Sequence, residues 1–211
     1  MKTRIIRFNK AVTTRRRIDR YLAANRLTGL TLDIGGRRGG HYSGCYEQAV
    51  VIDISRGVPI DVQADAHMLP FRTDAFGSIL CTEVIEHMDR PGQGIEEMRR
   101  VLRAGGRIVL TTRFLFPIHD RPGDFFRFTR FGLARLFRRW DVEEILETDT
   151  SIETLDIVFN RFVFDRGIHS FLRAVILGLS LAMLPMARLF SRMVKTDALT
   201  TGYIVSARKS E

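Results

Sequence analysis

An acid followed at once by a dense run of glycines, Leu32-Asp33-Ile34-Gly35-Gly36-Arg37-Arg38-Gly39-Gly40, is the part of this sequence best suited to holding a small molecule. Glycine lets the backbone approach a ligand and leaves N–H groups free at a turn, while a carboxylate beside such a turn attracts positive charge. Three further acids close short apolar runs: Asp53 after Val50-Val51-Ile52, Asp65 after Asp61-Val62-Gln63-Ala64, and Glu83 after Ser78-Ile79-Leu80-Cys81-Thr82. The aromatic, proline-containing stretch 114–128 adds His119, Asp120, Asp124 and Arg127. Of these, His119 suits a general base acting on a hydroxyl, with Asp120 or Asp124 orienting it. Equally, Asp124 and Arg127 could simply fasten the segment.

The spacing narrows the ligand. Asp53, at the end of a second strand, can accept two hydrogen bonds from a ribose diol, each charge-assisted bond contributing roughly 1.5–3 kcal/mol. A dinucleotide fingerprint starting at Gly35 needs a glycine at position 37, where Arg37 stands. Asp33 would also repel a pyrophosphate but favour the ammonium and sulfonium of an amino-acid-bearing ligand. Asp65 can accept from an adenine amine, with Ala66, Met68, Leu69 and Phe71 as an apolar wall. Each acid alone has a plainer use: Asp33 or Asp53 as a strand-end cap or turn, Glu86 and His87 as a helix cap.

The elements that must position these residues follow from periodicity. Ile18, Tyr21 and Leu22 recur at helical spacing among arginines over about 14–26, and Leu30–Ile34 is a first strand. A brief helix over 42–48, a strand ending at Asp53, a loop over 54–60 and a strand ending at Ala64 come next, and the strand Phe76–Thr82 follows. Ile95, Met98, Val101 and Leu102 share a face of a helix over 92–103, with Gly105-Gly106 as its stop and a fifth strand over 107–112. Thr129 caps a helix reaching about 139, a strand covers 142–146, 151–194 is mostly helical, and a last strand spans 200–208. Apolar runs separated by helices and loops predict a mostly parallel sheet covered on both faces, with ligands beyond the carboxyl ends of the strands.

Taken in order, Leu32-Asp33-Ile34-Gly35, Ile52-Asp53, Ala64-Asp65-Ala66-His67-Met68-Leu69-Pro70-Phe71, Thr82-Glu83-Val84-Ile85-Glu86-His87 and Arg100-Val101-Leu102-Arg103-Ala104-Gly105-Gly106 resemble the class I S-adenosylmethionine-dependent methyltransferases over about 28–138, as does the closing stretch 202–209. The resemblance implies an α/β, Rossmann-like, doubly wound sheet of seven strands in the order 3-2-1-4-5-7-6, the last antiparallel. It implies S-adenosyl-L-methionine as cofactor, held by Asp33, Gly35, Gly36, Gly39, Asp53, Ile54, Asp65, Ala66 and Glu83, with His119 and Asp120 as the catalytic pair. Arg37 replaces the middle glycine of the family's loop. Glu83, Glu86 and His87 match an acid-x-x-acid-His arrangement that some quinone-precursor O-methyltransferases of this family use for a divalent cation; no metal is expected here.

With 211 residues, one methyltransferase domain over 28–211 is expected, preceded by a basic arm and helix over 1–27 and carrying a helical, apolar insertion at about 151–195. The net charge of +9 is concentrated in the arm, where nine Lys and Arg face only Asp19. Neither Cys45 nor Cys81 has a disulfide or metal-ligand spacing, which fits a reducing cytoplasm. The charge-free stretch 174–187 reaches roughly 21 Å as a helix, short of a bilayer core. A buried helix or one lying in an anionic membrane interface are both open, so the protein is expected in the cytoplasm with possible contact to the inner membrane face. The acceptor is expected to be a small molecule, a glycan or a lipid-like compound. Two other readings are a non-catalytic protein of this fold that binds a membrane or a partner, and a nucleic-acid methyltransferase. The charge suits phosphates, but Thr82-Glu83-Val84-Ile85 stands where an Asn/Asp-Pro-Pro-Tyr-like acceptor motif would follow the fourth strand, so nucleic acid is disfavoured.

Overall fold

The computed structural model describes residues 15–149, 151–163, 169–193 and 198–210; the first part of the basic arm, 1–14, lies outside the described residues. The elements are α1 (Arg16–Ala24), β1 (Leu27–Ile34), β2 (Tyr46–Asp53), β3 (Val62–Gln63), β4 (Phe76–Thr82), a 3-10 turn (Ile85–His87), α2 (Pro91–Val101), β5 (Leu102–Arg113), α3 (Arg130–Leu136), β6 (Trp140–Glu147), α4 (Ser151–Val163), α5 (Ser170–Met193) and β7 (Gly202–Lys209). The strands form one seven-stranded sheet in the order β3-β2-β1-β4-β5-β7-β6, as expected. The first five are parallel, and β7 runs antiparallel to both β5 and β6.

Period-two alternation in the central strands divides the core between the two faces. Leu80, Val109 and Ile204 point to one face, where they meet Ile18, Leu22 and Leu27. Ile79, Cys81, Ile108 and Leu110 point to the other, where α2 brings Ile95, Met98 and Val101, and α3 brings Leu133 and Phe137. The middle strand β4 is buried on both faces, which is why its sequence is apolar without alternation.

Three local expectations are corrected. The stretch 42–48 is no helix: β2 begins at Tyr46 and pairs with Leu27 of β1, so the crossover from β1 to β2 is a turn. The α2 helix ends at Val101, ahead of Gly105-Gly106, and β5 begins at Leu102. There Gly105, with φ of 68°, loops the chain out between the pairs Phe76–Leu102 and Ser78–Arg107. The glycines mark a bulge because the sheet's hydrogen bonds resume on both sides of them. Finally, the helix capped by Thr129 stops at Leu136, two turns long, with the Thr129 hydroxyl accepting from the Gly132 N–H at 3.1 Å.

The close approach of β7 to β5 generates a test. A Cβ on Gly202 would stand 2.3 Å from the Thr112 carbonyl oxygen, a backbone atom that cannot move aside. Gly202→Ala should therefore lower stability by about 2 kcal/mol or more in urea denaturation, whereas Gly132→Ala, with 3.5 Å to the Thr129 hydroxyl and a place in a helix, should leave it unchanged or raise it by about 0.5 kcal/mol.

Candidate active site

The carboxyl ends of β1, β4 and β5 open onto one cavity of about 660 Å³. The β1 wall is Asp33 with Gly35, Gly36, Arg37 and Gly40; the β4 wall is Thr82 and Glu83; the β5 wall is Arg113 and Phe116, with His119 and Asp120 beyond. Arg15, His41, Tyr42 and His87 complete it.

Asp33 is the most constrained of these groups. It is buried, and its Oδ2 accepts from the Tyr46 hydroxyl at 3.0 Å. Burial pushes its pKa up to about 6, against the opposing effect of that hydrogen bond. The turn after it is shaped around its carboxyl group: a Cβ on Gly36 would fall 2.3 Å from Oδ2. Gly35 has φ of 75° and faces Val84, whose Cγ2 a side chain would meet at 2.4 Å. Its N–H donates to the Ile52 carbonyl at 2.8 Å, anchoring the turn to β2.

Glu83 and Arg113 face each other across the ends of β4 and β5 as an ion pair. Arg113 is almost wholly buried, with its guanidinium carbon 4.3 Å from the centre of the Phe116 ring. Its Nη2 donates to Glu83, while Nε and Nη1 are buried without a hydrogen-bond partner. The segment 114–128 is tied to the 3-10 turn, where the Phe125 and Phe126 N–H groups donate to the Glu86 carbonyl at 2.9 and 3.1 Å. The Asp124 carboxylate is clamped by both Nη atoms of Arg127 at 2.5 Å and accepts the His119 N–H at 2.9 Å. Arg127 holds the Asp124 pKa down to about 2. Asp124 therefore both fastens the segment and orients His119, lying 3.4 Å from its Nδ1, whereas Asp120 lines the cavity in a left-handed conformation with φ of 50°.

Of the sequence-predicted site residues, Asp33, Gly35, Gly36, Glu83, His119 and Asp120 are brought together on this cavity. Gly39, Asp53, Ile54, Asp65 and Ala66 are not among its lining. Asp53 Oδ1 accepts from the Ser55 N–H at 2.6 Å, and Asp65 Oδ1 from the His67 N–H at 2.8 Å, each closing its own loop. Ile54 is exposed, Ala66 is buried, and Gly39 has open space at its Cβ position. The sequence reading missed Arg113, Arg15, His41 and the Tyr46 contact. Arg113 carried a signal, a charged residue directly after an apolar strand; Tyr46 carried none, because its reach to Asp33 depends on strand register.

Among the described residues, Glu86, His87 and His119 form a group with ligand atoms within 4.8 Å of one another. Glu86 is buried, accepts from the Thr112 hydroxyl at 2.9 Å through Oε2, and leaves Oε1 without a partner. Burial and the neighbouring Glu83 charge raise its pKa to about 6. His87 and His119 meet edge to face with centroids 4.8 Å apart.

The raised Asp33 pKa fixes a sign for stability. The folded state binds the Asp33 proton more tightly than the unfolded chain, so this stabilising contribution is complete below about pH 4 and is lost as pH rises through about 6. Asp33→Asn keeps an acceptor for Tyr46 and removes the buried charge. It should raise stability at pH 7.5 by up to about 2 kcal/mol, with the gain vanishing near pH 4, as read by denaturant titration at both pH values.

The geometry agrees with the comparisons. The family described as a methyltransferase domain matches residues 32–110, from β1 into β5. A demethylmenaquinone methyltransferase of Clavibacter sepedonicus is 41% identical over 49 residues, 23% of this chain and 20% of that protein, so the match spans about a fifth of the relative's length. The geranyl diphosphate C-methyltransferase of Streptomyces coelicolor A3(2), solved with Mg2+, geranyl diphosphate and S-adenosyl-L-homocysteine, superposes with a TM-score of 0.58 at 14% identity, covering 90% of this chain and 76% of that one. The [4+2]-cyclase SpnF superposes with a TM-score of 0.58 at 18% identity, covering 92% and 81%. At such identities the structural likenesses show the fold. With the matched domain over 32–110, the sheet order and the antiparallel last strand in agreement, the chain has the methyltransferase Rossmann-like fold and carries a stretch that matches the methyltransferase domain.

Proposed function

We propose that this protein is an enzyme that transfers the methyl group of S-adenosyl-L-methionine to a small-molecule, glycan or lipid-like acceptor lying under the 114–128 segment. The observation that carries the reading is the buried Asp33 carboxylate beside the side-chain-free Gly36, on a cavity that His119 and Asp120 also line. The carboxylate suits an ammonium group, and the space left by Gly36 suits close backbone approach of a ligand. Asp53 and Asp65 keep their parts as acceptors for the ribose diol and the adenine amine, since in each the hydrogen-bonded oxygen is Oδ1 and Oδ2 is left for a ligand. Gly35, Gly39, Ile54, Ala66 and Glu83 are the remaining residues assigned to the cofactor in this reading.

When bound, the cofactor supplies an activated methyl group on a sulfonium. The chain's own work is then alignment and exclusion of water, to which Phe116 and the fastened 114–128 segment contribute. For a hydroxyl acceptor, His119 would take the proton as the methyl carbon passes from sulfur to the acceptor oxygen, with the Pro117 carbonyl 3.2 Å from its Nδ1 and Asp124 holding its backbone N–H.

Isothermal titration of the full chain at pH 8 tests the assignment. S-adenosylmethionine and S-adenosylhomocysteine should both bind, Asp33→Asn should weaken each by about tenfold or more, and Gly36→Ala should weaken them further by displacing the carboxylate. No heat with either compound from the folded protein would overturn it.

Peripheral membrane contact is a second proposal, favoured by one feature of α5. Phe171, Leu172, Leu179, Met186, Leu189 and Phe190 are all exposed and fall within a stripe about 100° wide at helical spacing. The charge-free stretch 174–187 within it is bracketed in the sequence by Arg173 and Arg188, which suits an anionic interface. Among the described residues no helix is long and apolar enough to cross a membrane. In flotation at low salt, the protein should rise with vesicles containing anionic phospholipid, and Leu179→Glu with Phe190→Glu should leave it at the bottom of the gradient. Recovery of the unaltered chain at the bottom would contradict the proposal.

A further inference from the structure

We infer that the methyl acceptor is an oxyanion, a carboxylate or a phosphate ester, whose negative group docks on the edge of the Arg113 guanidinium. This inference rests on the methyltransferase reading of the same cavity and names the chemical class of its second ligand.

The first support is an incomplete set of hydrogen bonds. Arg113 is only 3% exposed, yet it fills one part of its donor capacity, at Nη2, with Glu83. The N–H groups at Nε and Nη1 are buried and unpartnered. Buried charged donors are costly to leave unmade, and a guanidinium kept only to neutralise Glu83 would ordinarily be satisfied by backbone carbonyls as well. Phe116 covers the face of the guanidinium at 4.3 Å, which leaves its edge for an acceptor oxygen. Arg113 lines the cavity together with Phe116, His119 and Asp120.

The second support is the charge of the loaded cavity. Three arginines, Arg15, Arg37 and Arg113, balance three carboxylates, Asp33, Glu83 and Asp120, with His41, His87 and His119 in addition. S-adenosylmethionine brings an ammonium, a sulfonium and a carboxylate, and so adds one net positive charge. A neutral or cationic acceptor would leave that charge uncompensated in the cavity; a single anionic group compensates it.

The inference is tested by calorimetric titration of the full chain saturated with S-adenosylhomocysteine, using benzoate and phenyl phosphate as probes and benzyl alcohol as the uncharged counterpart of similar size. At least one anion should bind about tenfold or more tightly than benzyl alcohol, and the stronger of the two distinguishes a carboxylate from a phosphate acceptor. Arg113→Met should remove that preference, while Arg113→Lys should retain part of it. Equal affinity for the charged and uncharged probes on the unaltered protein would overturn the proposal without reference to any variant. So would an anion preference that survives in folded Arg113→Met, because the anion would then sit elsewhere. Repeating the anion titration without S-adenosylhomocysteine separates the two readings: failure to bind the cofactor product counts against methyl transfer, whereas loss of anion preference counts against the Arg113 site.

Discussion

The structure depends on keeping one carboxylate ionisable in a place where water barely reaches it. Asp33 lies at the carboxyl end of β1, is held by the Tyr46 hydroxyl, and sits so close to the following turn that position 36 has no room for a side chain. Burial raises the cost of its charge, a cost that in the proposed reading a cationic ligand group would offset on binding. A site that binds by relieving an unfavourable charge is less stable empty than occupied, and the sheet around it must be rigid enough to hold the strain. The fully buried strand β4 and the core on both sheet faces supply that rigidity.

Around this point the β4 and β5 ends add a second pair of charges, Glu83 and Arg113, and the 114–128 segment closes over them through the Asp124 and Arg127 clamp. The division of labour is spatial. The glycine turn and Asp33 come from the β1 end, and Glu83, Arg113, Phe116 and His119 from the β4 and β5 ends and the segment after β5. A linear transfer between two ligands needs that arrangement, in which each end recognises its own molecule and the reacting atoms meet between them. The same fold carries a protein described as a cyclase, so the chemistry belongs to the side chains at the strand ends and not to the sheet.

Much of the fold was legible in the sequence because apolar runs ending in acids reflect a sheet buried on both faces. The order of the strands came through the resemblance, and the sheet has that order. Gly105-Gly106 misled because glycine after an amphipathic run marks a helix stop and a strand bulge equally well, and only the register of β5 against β4 separates the two. The extension of β2 back to Tyr46 was hidden for a related reason: Tyr46-Glu47-Gln48 is polar where it lies at the sheet's edge, and its pairing with β1 depends on contacts distant in sequence. In the site, acids next to glycine were readable one by one. Arg113 was not singled out, since its importance lies in burial and missing partners, and neither property appears in a string of residue types.

The most direct test of the central claim is the pH dependence of S-adenosylhomocysteine affinity between pH 5 and 8, measured by calorimetry on the unaltered protein and on Asp33→Asn. If the buried carboxylate must be ionised to hold the ligand's ammonium, affinity is level above pH 7 and falls by up to about tenfold per pH unit below about 6, and Asp33→Asn is weak and flat over that range. An unaltered protein whose affinity does not change across pH 6, or an Asp33→Asn variant that binds as tightly as the parent, would contradict the account.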